Sequence, residues 1–433
     1  MEENETLLHR NQNKVYDRVL SHAQDELHSF RYYLSWMCVD QSNYIYAFLS
    51  WSVFIIFTII VPIISHFYLT CPSCDALHLQ PYDAVVQLSL SSIAALSFVC
   101  LSQFVRKYGV RRFLFFDKLV NESDSVRHHY TTQLNRSLNI LCVFVLPCFV
   151  AECTYKVWWY ASGASQIPFL GNAILSNIVA CSLELISWIY RTLIFFLVCI
   201  LFRLICYLQI LRLKDFASVF EVDSDVASIL VEHLRIRRHL RIISHRYRAF
   251  ILCALILITL SQLTFLLLTT KPNADVSIFR AGELALCSVT LLAGLMIILR
   301  SATKITHKAL AITALSAKWH VCATIDSFIT SETELPGAQN IGNSGSFDAR
   351  SGDSDADDAG DEEDDVDNTK FLPAYTNSSI SFQKRHALVT YFEKNRAGIT
   401  LYGFMLDRTW LQLIFGVELS LVLWLLKQTI TIA

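Results

Sequence analysis

The residues of this sequence best placed to do chemistry are charged side chains inside otherwise apolar stretches, because such surroundings withhold water and force each charge onto a partner. Glu152 and Lys156 lie four apart with the acid first, the favourable order for a helical pair. Glu184, Trp188 and Arg191 recur at helical spacing on one face, Glu283 opens a later apolar stretch, and Glu418 lies deep in the last one. Two readings of these charges stand side by side: ion pairs that fix helix packing, and the lining of a ligand cavity or an ion path. For a cavity, Glu152, Lys156 and Glu184 would supply the charge, and Tyr155, Trp158, Trp159, Tyr160, Trp188 and Arg191 would form the wall. The same aromatic residues also suit anchoring at a membrane interface. For a path, Gln412, Glu418 and Ser420 are the polar residues of the last stretch.

Other chemistry finds little support. The sequence has no Walker loop, no H-E-x-x-H, no G-x-S-x-G and no His/Cys set at metal-ligand spacing, although it holds 13 His and 13 Cys. No enzyme, cofactor or metal centre is expected from it. Most cysteines sit singly in apolar stretches, but Cys71 and Cys74 form C-P-S-C between two of them. A local disulfide, a bridge from this pair to Cys153, free thiols and a share in a metal site all remain open for it.

The elements that must hold these residues follow from composition. Of 433 residues 53% are apolar, only 17% are charged and the mean hydropathy is +0.41, more apolar surface than a soluble chain of this length can bury. A bilayer core of about 30 Å takes ~20 apolar residues as a helix. Stretches near Tyr44 to Ile64, Ala84 to Val105, Leu138 to Tyr160, Ile174 to Ile210, Phe250 to Leu268, Ala281 to Leu299 and Trp410 to Ile432 qualify. The fold class is therefore all-α, a polytopic protein with seven transmembrane helices, integral to a plasma membrane or an endomembrane and in contact with its lipid. The fourth stretch is too long for one crossing and reads as one helix that leaves the membrane, with a pair of helices as the alternative. Neither internal inverted repeats nor broken helices are visible in the pattern. The opening 42 residues are polar and hold no secretory signal, so the first span is expected to be its own insertion signal.

Direction comes from Lys and Arg. They number 4 before the first span and 0, 7, 0, 8, 2 and 11 in the successive loops. Basic loops stay in the cytosol, which places the amino terminus and loops two, four and six inside and the carboxyl terminus outside, the reverse of a rhodopsin-like receptor. The net charge of −2 hides this basic body, since leaving out the 11 acids between Asp348 and Asp367 together with Arg350 leaves +8. Sequons at Asn4, Asn121, Asn135 and Asn377 all fall on the expected inner side and read as chance matches.

Four regions result: a cytosolic segment 1–43 with an amphipathic helix over Val15 to Leu34, helices one to six with a cytosolic helical layer over 44–330, a disordered acidic cytosolic loop over 331–381, and a cytosolic helix with span seven over 382–433. The stretches Ala227 to His245 and Ala302 to Ile325 are amphipathic and continue the fifth and sixth spans, packing together with the amino-terminal stretch, or, for the basic run that starts at Glu232, lying on anionic lipid. Basic clusters beside membrane spans argue against a nucleic-acid partner.

The block R-A-G-I-T-L-Y-G-F-M-L-D-R-T-W-L-Q-L-I-F-G-V-E-L-S-L-V-L-W-L-L-K-Q-T-I (Arg396 to Ile430) and the block P-Y-D-A-V-V-Q-L-S-L-S-S-I-A-A-L-S-F-V-C-L-S (Pro81 to Ser102) resemble a plant family of uncharacterised multipass proteins. That family is similar in expected fold to insect gustatory and odorant receptors and is called gustatory-receptor-like. The resemblance implies a homo-oligomer, a tetramer in the insect members, gated by an unknown small-molecule ligand bound in the outer half. It also implies a pore lined by the last helix, which is split into a cytosolic part near His386 to Arg396 and a membrane part from Trp410. Insect gustatory receptors carry T-Y, five apolar residues and Q-F there, whereas here Thr409-Trp410 is followed after five residues by Gly416-Val417. The function expected is thus a chemoreceptor-like protein or ligand-gated channel, with a non-conducting scaffold or signalling protein and a solute transporter as alternatives. An epitope at the amino terminus should be shielded from antibody on intact cells and one at the carboxyl terminus reachable; the opposite pattern, or glycan on any of the four sequons, overturns the direction.

Overall fold

Lipid offers no hydrogen-bond partner, so a stretch that crosses it must satisfy its backbone internally, and the apolar stretches form helices. In the computed structural model, which describes residues 44–69, 82–113, 124–162, 172–218, 226–270, 278–333 and 382–431, the first stretch, α1, consists of four helical segments, Tyr44–Ile55, Ile56–Ile60, Val61–Ile64 and Ser65–Leu69. It is followed by α2 (Asp83–Phe113), α3 (Asp124–Ala161), α4 (Ala173–Ser218), α5 (Val226–Thr269), α6 (Ile278–Thr333), α7 (Phe382–Lys394) and α8 (Arg408–Thr431). Seven of these, all but α7, are long and apolar enough to cross a membrane, which makes this an integral multipass membrane protein. The fourth stretch is one continuous helix rather than two. The helix after the fifth expected start begins early, at Val226, and α6 runs on to Thr333, past Ser331 where the acidic loop was expected to begin. The amino-terminal amphipathic stretch and the acidic tract lie outside the described residues.

The first π turn of α1 has a local cause, and it corrects the reading that no span is broken. Pro62 has no N–H, so it cannot bond the carbonyl four residues before it, that of Thr58, nor the one five before it, that of Phe57. Val61 N–H reaches back to the Ile56 carbonyl instead. The two stranded carbonyls are taken by hydroxyls of other helices: Ser91 of α2 donates to Thr58 O at 2.9 Å and Ser187 of α4 donates to Phe57 O at 2.6 Å. Elsewhere hydroxyls at membrane depth bond their own helix four residues back, as Ser97 does to Ile93 O and Thr290 to Leu286 O, both at 2.7 Å, which removes the cost of an unpaired polar group.

The chain falls into two compact units. The first, 1–208 with 243–303 and 400–433, is organised on α4. Of the most apolar window of each helix, 83% is buried in α4 and 67% in α6, but only 28% in α1 and 17% in α8. Ile194, Phe195, Cys199, Phe202, Leu204 and Leu208 are almost wholly buried, and α1 docks through Phe54, whose ring stacks on Phe98 of α2 at 4.1 Å beside Tyr190 and Ile194. Gly294 of α6 meets Phe195 so closely that a Cβ there would run into the ring. Gln262 of α5 and Ser288 of α6 form a reciprocal pair, with Gln262 donating to Ser288 O at 3.3 Å and Ser288 to Gln262 Oε1 at 2.5 Å.

The second unit, 209–242 with 304–399, is built around α7. Leu388, Val389 and Phe392 are buried there with Arg385. His233 stands edge-on to Phe392 at 4.6 Å, Arg237 donates to Asn395 Oδ1 at 2.8 Å, and Ile399 N–H donates to Thr306 Oγ1 at 3.2 Å. The split of the last helix, implied by the resemblance, is present as α7 and α8, and the join contains a feature no sequence pattern announced. Strands β1 (Thr400–Leu401) and β2 (Phe404–Met405) pair antiparallel around Tyr402 and Gly403, whose φ angles of 47° and 97° belong to a two-residue turn with both central residues left-handed. Asn-Gly or Asp-Gly is the usual signal for it; here Tyr402 takes the unfavourable position and its ring lies under Arg248, 4.9 Å away. Substituting Gly294 by Val should lower the unfolding temperature of detergent-solubilised protein by overpacking worth about 1–3 kcal/mol. The further change Phe195→Leu should restore part of it, and a Gly294→Val protein as stable as the parent would show that α4 and α6 do not pack through this contact.

Candidate functional site

Five helices of the first unit bring polar residues to one end of the bundle. These are the carboxyl-terminal ends of α1 and α3 and the amino-terminal ends of α2, α4 and α6, the end that the basic-loop count assigns to the outside. Helical spacing explains why so few residues do so much: Glu152 and Lys156 are one turn apart on α3, and Glu184, Ser187, Trp188 and Arg191 repeat every three or four residues on α4.

Lys156 is the centre. Its ammonium lies 3.2 Å from Glu184 Oε2 and 2.6 Å from Glu283 Oε1, so one buried cation ties α3 to α4 and α6. Ser65 of α1 donates a short hydrogen bond to the other oxygen of Glu184. Arg191, buried to 2% exposure, donates from Nε to Ser187 O at 3.2 Å, from one terminal nitrogen to Ser91 Oγ at 3.2 Å, and from the same nitrogen to Gln87 O at 3.4 Å. It thereby fastens α4 to α2. Gln87 in turn donates to Asp83 Oδ1 at 3.0 Å, and His66 Nδ1 stands 3.7 Å from Asp83 Oδ2. Between these groups lies a small cavity with room for about one water molecule, lined by Val61, Pro62, Ser65 and Gln87 on one side and by Glu152, Lys156, Glu184, Ser187, Trp188 and Arg191 on the other.

Of the residues read from sequence, the structure brings Glu152, Lys156, Glu184, Trp188 and Arg191 to this cavity. It does not make the expected Glu152–Lys156 pair, because the Lys156 ammonium goes to Glu184 and Glu283 on neighbouring helices, where its charge is met by two carboxylates rather than one. Nor do the other aromatic residues form the cavity wall. Trp159 and Tyr160, on the same face of α3 as Glu152 and Lys156 but a turn farther along, are buried against Cys181 with Trp158 beside them, and Tyr155 pairs with Trp158 at 6.2 Å. Sequence reading missed Ser65, Asp83, Gln87, Ser91 and Ser187 as members of the site and noticed Glu283 without its partner. The available signal was arithmetic, since one lysine inside an apolar stretch could not neutralise all the buried acids. Cys71 and Cys74 lie outside the described residues, and Cys153 is a free thiol.

The polar residues of the last span separate into two faces. Glu418 is buried at 2% exposure and accepts a short hydrogen bond from Thr259 of α5. Gln412 and Ser420 are exposed on the other side, with Ser420 Oγ bonded to Gly416 O at 2.6 Å. The grouping of Gln412, Glu418 and Ser420 on one side of a path is therefore corrected: two residues on a helix are 200° apart, which sends Glu418 and Ser420 to nearly opposite faces. Replacing Lys156 by Met should destabilise the solubilised protein by about 3–5 kcal/mol, since two carboxylates lose their buried partner. The triple change Lys156→Met, Glu184→Gln and Glu283→Gln should recover most of that in a thermal unfolding assay, and a single variant as stable as the parent would show that the pairs hold nothing together.

Against known proteins, the profile of a family described as a protein of unknown function, DUF3537, matches residues 25–417. No curated protein matches the chain. Among solved structures, the insect olfactory receptor OR5 from Machilis hrabei aligns over 89% of this chain and 90% of that one, at 14% identity and a TM-score of 0.49.

Proposed function

We propose that this chain, which belongs to the DUF3537 family of proteins of unknown function, is the subunit of a homo-oligomeric ligand-gated ion channel. In this reading α8 faces the conducting path and a small-molecule ligand acts on the polar cluster among α1, α2, α3 and α4. Four subunits is the number implied by the sequence resemblance to chemoreceptors. No catalytic step belongs to this reading.

The observation that supports it is the outward face of α8. Thr409, Gln412, Gly416, Ser420 and Lys427 are all exposed in the subunit. At 100° per residue they form one stripe about 80° wide along the whole helix. A face turned to lipid gains nothing from a glutamine, a serine and a lysine in line, and polar groups at membrane depth turn toward water or another protein surface. α8 is also the least buried of the seven membrane-capable helices, which leaves room on it for copies of itself. Glu418 belongs to the opposite face and takes no part in the path; its bond to Thr259 ties α8 to α5.

A second reading has one observation in its favour. The π-interrupted α1 borders the polar cavity through Val61, Pro62 and Ser65, and solute carriers build their sites from discontinuous helices. Saturable uptake into proteoliposomes without unitary currents would select it. For the channel reading, currents through reconstituted protein carrying Ser420→Cys or Gly416→Cys should be blocked by a charged, water-soluble thiol reagent, whereas Val422→Cys, on the buried face, should be spared. Glu418→Gln should leave ion selectivity unchanged. Equal insensitivity at positions 416, 420 and 422 would remove α8 from the path.

A further inference from the structure

The three helices that Lys156 ties together each carry an arginine toward their opposite end. Counting from Lys156 back along α3 reaches Arg136 after 20 residues, from Glu184 along α4 Arg203 after 19, and from Glu283 along α6 Arg300 after 17. At 1.5 Å per residue these steps are about 26–30 Å, the thickness of a bilayer core, so the arginines stand at its far boundary. That is the end the basic-loop count assigns to the cytosol. They are neighbours in space, since the charges of Arg136 and Arg300 both act on Arg203 and repel it. No carboxylate is close to them along these helices: Asp124 on α3, Asp215 on α4 and Glu283 on α6 are the nearest, each at least 12 residues or about 18 Å away. Arg203 also interrupts the run Leu193 to Leu208, which holds no other charge, and between Ile194 and Leu213 only it and Tyr207, one turn on, are not buried. α4 is open at this place alone. Among the described residues the Arg203 guanidinium makes no hydrogen bond and no ion pair, a costly state for a cation beside hydrocarbon.

We propose that Arg136, Arg203 and Arg300 together hold the headgroup of an anionic membrane lipid, one that carries a phosphomonoester. A guanidinium keeps its charge and donates parallel hydrogen bonds that match phosphate oxygens, which suits it to this partner. Three of them outweigh the single charge of a phosphodiester, whereas a phosphomonoester brings nearly two charges and three acceptor oxygens. Depth selects the source of the phosphate. At the edge of the hydrocarbon a lipid phosphate is already at hand, and anionic lipids are concentrated in the cytoplasmic leaflet. The surface beside the cluster suits the rest of such a molecule. Arg136, Asn139, Val143, Leu146 and Val150 are all exposed and recur every three or four residues, so one stripe of α3 leads from the arginine to apolar side chains toward the middle of the membrane. An acyl chain can lie along that stripe while its phosphate meets the arginines. The proposal concerns the opposite end of the bundle from the polar cluster and does not depend on conduction.

The test titrates full-length protein in detergent micelles with dioctanoyl phosphatidic acid, with dioctanoyl phosphatidylserine as an anionic phosphodiester, and with glycerol phosphate as the soluble headgroup. Bound ligand is counted by native mass spectrometry. Saturable binding of one phosphatidic acid per subunit is expected, several-fold tighter than phosphatidylserine and without saturation by glycerol phosphate over the same range. Arg203→Gln should weaken phosphatidic acid by roughly tenfold or more, the loss expected for hydrogen bonds to a charged group. Arg235→Gln, which removes an exposed arginine of α5 outside the cluster, should leave the affinity unchanged. Should Arg203→Gln not fold, Arg136→Gln, at an exposed position, stands in for it with the same expected loss. Equal affinity for the two lipids, or unchanged affinity in the arginine variant, would overturn the proposal and show that the three arginines only anchor the helices at the interface. Saturation by glycerol phosphate as tight as that by the lipid would overturn the lipid as occupant and make this a site for a soluble phosphate ester.

Discussion

A single buried ammonium organises one end of this protein. Lys156 reaches Glu184 on α4 and Glu283 on α6 from its place on α3, and in surroundings poor in water such pairs are geometrically demanding, because any separation leaves a charge without solvent. The hydrogen bond from Ser65 to Glu184 and those from Arg191 to Ser91 and Gln87 extend the same network to α1 and α2. Helices that would otherwise slide against one another through apolar contacts, with little difference in energy between registers, are given one register. The groups that set the packing are also the groups that line the small cavity, so a change at any of them bears on the arrangement of five helices.

The same end of the bundle contains the two π segments of α1, the first of them beside Pro62. Pro62 strands two carbonyls, and the hydroxyls of Ser91 and Ser187 accommodate them. Ser91 is at once a donor to Thr58 O and a partner of Arg191, while Ser187 donates through its hydroxyl to Phe57 O and accepts Arg191 Nε at its carbonyl. The break in α1 is thereby wired to the charge network, and a change in the network at Arg191 is felt by α1 through two serines. At the other extreme of the first unit's chain, α8 is joined to α5 by the bond between Glu418 and Thr259 and presents its small and polar residues outward. The tight hairpin at Tyr402 and Gly403 closes the join between α7 and α8, with Ser244 of α5 bonded to Thr400 at its base.

Much of the fold was legible because the membrane simplifies the code. Length and hydropathy suffice to find helices in a solvent that forbids any other exposed backbone, and the seven stretches follow from that rule, while the extensions of the fifth and sixth helices were legible from amphipathic spacing. The candidate site was only half legible. Spacing put Glu184, Trp188 and Arg191 on one face of α4, since a helix face is a local property. Spacing also suggested that Glu152 pairs with Lys156, and there it misled: a neighbour on the same helix competes with carboxylates on two others, and which wins depends on helix rotations that no periodicity contains. The aromatic run from Tyr155 to Tyr160 misled for another reason: Trp159 and Tyr160 share the face of Glu152 and Lys156 but sit a turn farther along α3, packed against Cys181 beyond the cavity.

Charge and apolar length along the chain thus determined the number of spans and the identity of the costly buried groups, while the split of the last helix came from the resemblance alone. Tertiary structure alone decided that Lys156 bridges three helices, that Glu152 is left facing an empty space, that Ser91 and Ser187 repair the backbone at Pro62, and that Glu418 and Ser420 look in opposite directions from their packing. The division has one physical reason. Burial in lipid is a sum over neighbouring residues and can be read in order, whereas a buried hydrogen bond or ion pair acts over about 3 Å and joins residues that only the packing of separate helices brings within reach.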